Sequence, residues 1–541
     1  MATSKKKKPF FLWRHNLVWY VALFVFLSEN VVGYYYDVHV VFYHSDGISR
    51  VANAFYVLYS RDPHLGAIGF VWNPLPSVID LLFLSLYHWI PAMATKGIAG
   101  LLMSSIFAAL TAGLLARAFL QRGLPKWSAV VFPLLFSLNP MVFLFGFNGM
   151  SDAPFVFFTI LCMISFLNWL DEDQLGDLIV AGFALAFAFW CRYEAVPFGV
   201  SIFVSCVIVT AAIHKSQKPP TERLFRYRWN RAEGTLMVIA TPLIYSVIAW
   251  VLLNAMIMKN PLYFLNSDYS NTAQIQGHLS NPVYAAMVHH PLSAVVYALK
   301  KVAVFSVPLF AILLLRLFNR RFFRWDTVIL LGVFFSIPML QILMLYKGTT
   351  LAWLRYFMYV LPVSVAWLPY ELSKLKRRWQ MSLPLAAMVV NFALLSYVIT
   401  QPAIAPDENT FLQNTFGHHN QTYVEEHQQI QIAHDLDKEV PNATILADSF
   451  SAYLIILESR YPRRFYITSD FGFKDAISNP KLYGVQYILI PKPGDPSVIS
   501  AINNAYPNLY AHGASWGTLV KQFPGDWRLY RVIKSTGVNA R

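Results

Sequence analysis

The sequence predicts a polytopic α-helical membrane protein of about eleven transmembrane helices, with a C-terminal extracytoplasmic α/β domain. Three observations predict it. Charged residues make up 13% of the 541 and hydrophobic residues 56%, whereas soluble domains are about a quarter charged. Apolar runs recur along residues 17–400, and about 20 such residues suffice for one crossing. Beyond residue 400 the chain turns polar and alternates strand-like with helical runs.

The expected spans are 17–33, 97–119, 128–147, 151–170, 178–191, 195–213, 234–255, 291–315, 326–346, 353–371 and 381–400. Basic clusters set their orientation. Lys5–Lys8, Lys215–Arg231, Arg316–Arg324 and Lys374–Arg378 are expected inside, because cytoplasmic loops are enriched in Lys and Arg. Counting back from Lys215 puts Arg117, Arg122 and Lys126 inside, together with the acidic turn Asp171–Asp177. Only one crossing then fits between the first span and Arg117. The run 97–119 takes it, and 75–91, which carries Asp80 and His88, is expected to lie along the outer face. The opening basic flank and apolar run lack a small-residue cleavage site and read as a retained anchor.

The expected domains are a multi-span unit at 1–400, with a first outer loop at 34–96, and the tail at 401–541. In the tail, 443–449, 464–470, 485–491 and 527–534 read as strands of a mostly parallel sheet. The segments 424–438, 473–479 and 496–505 read as helices between them. It contains no G-x-G-x-x-G and no P-loop, so a nucleotide site has no support. The net charge of +14 lies in short clusters between apolar runs, which argues against nucleic acid. Cys162, Cys191 and Cys206 all fall in apolar segments and offer neither a disulfide framework nor a zinc spacing.

This threading gathers the ionisable residues that most need explaining on one face. Asp46, in HSDGISR, is a carboxylate at the mouth of a groove and suits a general base. It also suits a helix cap paired with Arg50 one turn on. Asp37 competes with it, although YYYDVH also reads as an interfacial aromatic belt. Asp152 opens a span, where the helix dipole favours a carboxylate. Arg192 and Glu194, in CRYEAVP, sit at span ends and suit a mutual ion pair. Lys347 and Arg355 bracket KGTTLAWLRY, and a guanidinium such as Arg355 holds phosphate oxygens in pairs. His289 and His290 lack the further spaced ligands that a metal site needs.

The order of these motifs resembles the GT-C superfamily of polyprenyl-phosphate-sugar-dependent glycosyltransferases. Relatives in it include protein O-mannosyltransferases and aminoarabinose transferases. The motifs are D-x-x-S-R (Asp46–Arg50), W-N-P-L-P (Trp72–Pro76), G-M-S-D (Gly149–Asp152) and R-Y-E (Arg192–Glu194), with a late R-Y at Arg355. The resemblance implies a plasma-membrane enzyme with its N-terminus in the cytoplasm and its site on the outer face. A polyprenyl-phosphate sugar would be the donor, and a glycan, lipid or protein the acceptor. Asp46 would be the base of an inverting transfer, with Asp37, Asp152 and Glu194 as alternative base or acceptor-site residues. Arg355 would clamp the donor phosphate, helped by Arg192, Lys347 and Arg50. Many relatives carry an acidic pair where Gly47 follows Asp46 here, so a divalent cation is left unsupported. The competing reading is a multi-span transporter or flippase. It calls for internal repeats and broken helices at the midplane, and no half-to-half repeat is visible.

Overall fold

The computed structural model describes residues 15–210, 224–276, 282–417, 419–494 and 499–533. The Lys5–Lys8 terminus and residues 215–223 of the Lys215–Arg231 cluster lie outside them. Within them the chain is a polytopic helical bundle followed by a small mixed sheet. Six helices are long and apolar enough to cross a membrane, or eight if each of two bent pairs is one span. The six are Asn16–Val40, Ile98–Gln121, Asp152–Glu172, Arg228–Met258, Trp325–Lys347 and Arg378–Val398. This is fewer than the sequence suggests: two expected spans are short, and the helix of a third, 195–213, continues as a π turn to residue 210, where the described stretch ends. Leu175–Cys191 has 17 residues and Val360–Leu372 has 13. All of Val360–Leu372 is buried, so it runs through the middle of the bundle instead of facing lipid. The 75–91 run forms a 10-residue helix, Leu75–Leu84, too short to cross.

The two bent pairs have identifiable causes. Ser128–Ser137 and Pro140–Phe147 meet at 71°, where the Asn139 side chain accepts a bond from the Met141 amide (3.3 Å) and Pro140 occupies the first turn. Pro291–Ala303 and Val307–Phe318 meet at 83°, with Pro308 opening the second helix. Buried Asn391, from helix Ser382–Val398, serves both breaks. Its Nδ2 donates to the Val304 carbonyl (2.8 Å), and its Oδ1 accepts from Asn139 Nδ2 (3.4 Å). Broken helices survive inside a membrane when neighbouring side chains satisfy the freed backbone.

One end of the bundle gathers the basic clusters. Asp171 takes Arg122 (2.6 Å) and Lys374 (2.9 Å), and Asp173 takes Arg231 (2.5 Å). Residues from three basic clusters and the acidic turn thus share that end. Arg316 is fully buried there, against expectation for a solvated flank. It pairs with Asp326 (2.9 Å) and Glu371 (2.6 Å), and both acids also bind Arg321.

The sheet has five strands: β1 (Ile445–Leu446), β2 (Phe465–Tyr466), β3 (Tyr487–Pro491), β4 (Gly517–Phe523) and β5 (Trp527–Val532). Their order is β2-β1-β3-β5-β4. β1 runs parallel to β2 and β3, whereas β5 is antiparallel to β3 and β4. The sheet is therefore mixed, not mostly parallel. The expectation missed β4, which forms a hairpin with β5 through Pro524-Gly525-Asp526. Gly525 and Asp526 both take positive φ in that turn. Helices Gln421–Glu439 and Phe473–Ser478 match the expected ones, and of 496–505 the described part is helical over Ala501–Ala505.

Helix Ser45–Tyr59 lies between the two parts. Its buried Ile48, Val51, Phe55 and Tyr56 share one apolar core with Ile432, Leu436, Ile455, Phe465 and Trp527. Lys96 binds Glu458 (2.9 Å) across the same junction. Substituting Asn391→Leu should lower thermal stability in detergent, because it strips partners from two buried groups at about 1–3 kcal/mol each. An unchanged melting temperature would show that the breaks hold without it.

Candidate active site

The first loop returns from the membrane as helix Ser45–Tyr59, which sets Asp46 in its first turn. Asp46 and Arg355, far apart in sequence, meet there at 2.7 Å. Arg355 is 2% exposed and the Asp46 side chain 28%. The second terminal nitrogen of Arg355 meets His44 Nε2 (3.0 Å), and its guanidinium lies 4.2 Å from the Trp353 ring centre. Burial alone would push the Asp46 carboxyl up. Arg355 and His44 outweigh it and hold the carboxyl below the usual range. Asp46 is therefore ionised at neutral pH.

Arg50 does not pair with Asp46, as a shared helical face would allow. Its guanidinium turns to the Asn73 carbonyl (3.3 Å) and the Trp72 ring (4.6 Å), which seats the W-N-P-L-P segment. Asn73 in turn donates to the Phe189 carbonyl (2.6 Å). Burial, with Arg192 nearby, draws Arg50 down to about 10. Asp80, which the outer-face reading leaves solvated, is fully buried. Burial pushes its carboxyl up to about 8, with Arg50 pulling the other way.

Beside this pair lies a second ionic group. Arg192 grips Glu194 with two nitrogens (2.9 and 3.3 Å) and reaches Asp152 (3.3 Å) and Ser151 (3.2 Å). The other Asp152 oxygen accepts from the Tyr359 hydroxyl (2.5 Å). The Tyr356 ring links the groups, lying 5.4 Å from the Arg355 guanidinium and 5.5 Å from that of Arg192. Asp46, Arg355, Asp152, Arg192 and Glu194 thus lie in one cluster. Lys347 is exposed and outside it. Asp37 is buried in the π-helical turn Tyr35–Val40 and does not line the cavity described next.

His44, Trp353, Tyr356 and Tyr359 escaped the sequence reading. Their signal was proximity: His44 stands two residues before Asp46, and Tyr359 follows Arg355 by one helical turn. Asp46, His44, Trp353 and Tyr356 line a cavity of about 1230 Å³ that continues toward the C-terminal sheet. Among the described residues, no three His, Cys, Asp or Glu side chains converge as ligands for a divalent cation.

Gly47 explains the missing acidic neighbour. A Cβ at this position would overlap the backbone carbonyl oxygen of Asn148, in the turn before Asp152. That turn needs Gly149, at φ +74°, whose own Cβ would come within 3.3 Å of Gly100 Cα. The backbone contact that places Asp46 beside the Asp152 turn thus excludes a side chain at 47.

The fold, a polytopic helical bundle carrying a small mixed sheet, is one that a solved membrane protein shares. The chain is similar to ArnT from Cupriavidus metallidurans, solved bound to undecaprenyl phosphate, at 12% identity and a TM-score of 0.51. That likeness covers 95% of this chain and 98% of ArnT. The archaeal oligosaccharyltransferase AglB from Archaeoglobus fulgidus, solved with an inhibitory peptide and a dolichol-phosphate, aligns at 11% identity and a TM-score of 0.44. The alignment covers 96% of this chain and 75% of AglB. Residues 81–226 match the family of dolichyl-phosphate-mannose-protein mannosyltransferases. That stretch holds Asp152, Arg192 and Glu194 and stops short of Asp46 and Arg355. No curated protein sequence matches the chain.

Replacing Gly47 by Ala should cost about 1–3 kcal/mol in thermal unfolding, the usual range for overpacking. Full tolerance would mean that the helix does not rest on the 148–149 turn.

Proposed function

We propose that this protein transfers a sugar from a polyprenyl-phosphate donor to an acceptor outside the cell, with inversion and with Asp46 as general base. An acceptor hydroxyl attacks C1 of the sugar and its proton passes to Asp46. The bond from C1 to the phosphate oxygen breaks, and the lipid phosphate leaves with the electron pair. Arg355, with Arg192 behind it, meets that charge in a site largely shielded from water. Lys347 is not needed for this step. In this reading residues 1–400 form the catalytic membrane unit, sited in the plasma membrane with the N-terminus cytoplasmic. Residues 401–541 form an extracytoplasmic domain over the site.

The observation that carries the reading is the 2.7 Å Asp46–Arg355 pair at the cavity wall. A carboxylate held low by a guanidinium is ionised but a weak base, and a base works best near the operating pH. When the phosphate takes Arg355, burial becomes the dominant influence on Asp46 and its basicity rises. Donor binding thereby arms the base. What supports the donor class is the likeness to ArnT and to the mannosyltransferase family. Charge gathered at helix ends around a cavity, without half-to-half repeats, weighs against a transporter.

Asp46→Asn should insert normally and lose about 10²–10⁴-fold in transfer from a polyprenyl-phosphate sugar to membrane acceptors. Retained turnover would remove Asp46 from the mechanism. In Arg355→Gln the carboxyl loses its cation, so the acid limb of residual activity should move to higher pH. An unmoved limb would show that Arg355 does not set the state of Asp46.

A further inference from the structure

The cavity does not end at Asp46. It extends between the first loop and the C-terminal sheet, where the segments following β1, β2 and β3 form its far wall. These contribute Ser449 and Ser451, Thr468 and Ser469, and Lys492 to Gly494. The chain passes from β1 to β2 on one side and returns to β3 on the other. Ligands of open α/β sheets bind outside the carboxyl ends of the strands, where the strand order switches in this way.

Four groups on that side of the cavity keep buried polar atoms that have no partner among the described residues. They are the Tyr56 hydroxyl, Glu426 Oε1, Gln429 Oε1 and Ser469 Oγ. Tyr56 is 1% exposed and Glu426 4%. A buried polar group without a partner is costly, and the residues that carry these four all line one cavity, which suits a ligand rich in hydrogen-bonding groups. Burial pushes the Glu426 carboxyl well above the usual carboxylate range. Its other oxygen accepts from the Tyr43 amide (3.3 Å), which fixes it against the loop that carries Asp46. Phe450, Tyr453 and Trp527 add aromatic surface to the same wall.

Charge narrows the class further. Asp407, Glu425 and Asp526 also line the cavity, and Lys492, its one lysine among the described residues, is tied to Asp526 at 2.9 Å. An anionic acceptor would meet repulsion here. Hydroxyls, amides and aromatic rings, with no free lysine or arginine lining the cavity among the described residues, suit a neutral saccharide, whose apolar faces stack while its hydroxyls bond. At about 1230 Å³ the cavity exceeds the roughly 300–1,000 Å³ of a small-molecule pocket, leaving space for several sugar units beside a donor head group.

We propose that the crest of the C-terminal sheet is the acceptor subsite, and that it takes an uncharged, hydroxyl-rich saccharide held by Tyr56, Glu426, Gln429 and Ser469. The proposal rests on the reading of Asp46 as the base, because an acceptor bound here presents its hydroxyl along the cavity to that carboxylate.

The test is binding by the full chain in lipid nanodiscs, read by tryptophan fluorescence, since Trp72, Trp353 and Trp527 line the cavity. The probes are mannotriose, maltotriose and galactotriose, with mannose 6-phosphate as the anionic counterpart. At least one neutral trisaccharide should bind saturably and better than the phosphorylated sugar. Gln429→Leu and, separately, Ser469→Leu should each weaken it about tenfold while leaving the melting temperature within a few degrees. Absence of trisaccharide binding, tighter binding of the anionic sugar, or unchanged affinity in both variants overturns the subsite. Because this assay uses no lipid donor, its failure is distinct from a failure of sugar transfer.

Discussion

A charge buried in an apolar chain must find a counter-charge, and in this protein that constraint decides which distant segments meet. Asp46 in the first loop and Arg355 near the end of the bundle are brought to 2.7 Å. Arg192 does the same for Asp152 and Glu194. At the opposite end Arg316 and Arg321 gather Asp326 and Glu371. The helices between are held in register by their ends. One end therefore carries a compact ionic cluster beside an open cavity, while the other is closed by saturated pairs.

Much of this was legible in the sequence because the membrane simplifies the reading. Apolar runs marked most of the long helices, and the common sidedness of Asp46, Asp152, Arg192, Glu194 and Arg355 followed from basic clusters alone. The count of spans was harder. Leu175–Cys191 and Val360–Leu372 are as apolar as their longer neighbours, and composition does not report how far a helix runs. The sheet shows a different limit. β1 and β2 are two residues each, so the pairing of the much longer hairpin β4–β5 dominates, and Pro524-Gly525-Asp526 was its overlooked signal.

The site was legible in its charges but not in its contacts. Arg50 stands one helical turn from Asp46, yet it seats Trp72 and Asn73, while Arg355 pairs with Asp46. The meaning of Gly47 depends on a backbone carbonyl about a hundred residues further along, at Asn148, which no local pattern announces. Lys347 shares the expected face and still points to the outside of the cluster. Sidedness names the candidates; packing chooses among them.

The apolar seam between helix Ser45–Tyr59 and the tail carries an evolutionary consequence. A segment whose interior is completed by the first loop cannot be traded between relatives as an independent cassette. Recombination at residue 400 would bring together two halves of a hydrophobic interface that had never adapted to one another. Diversification of this lineage should therefore proceed by paired replacements across the seam, with the first loop and the C-terminal sheet inherited as one block.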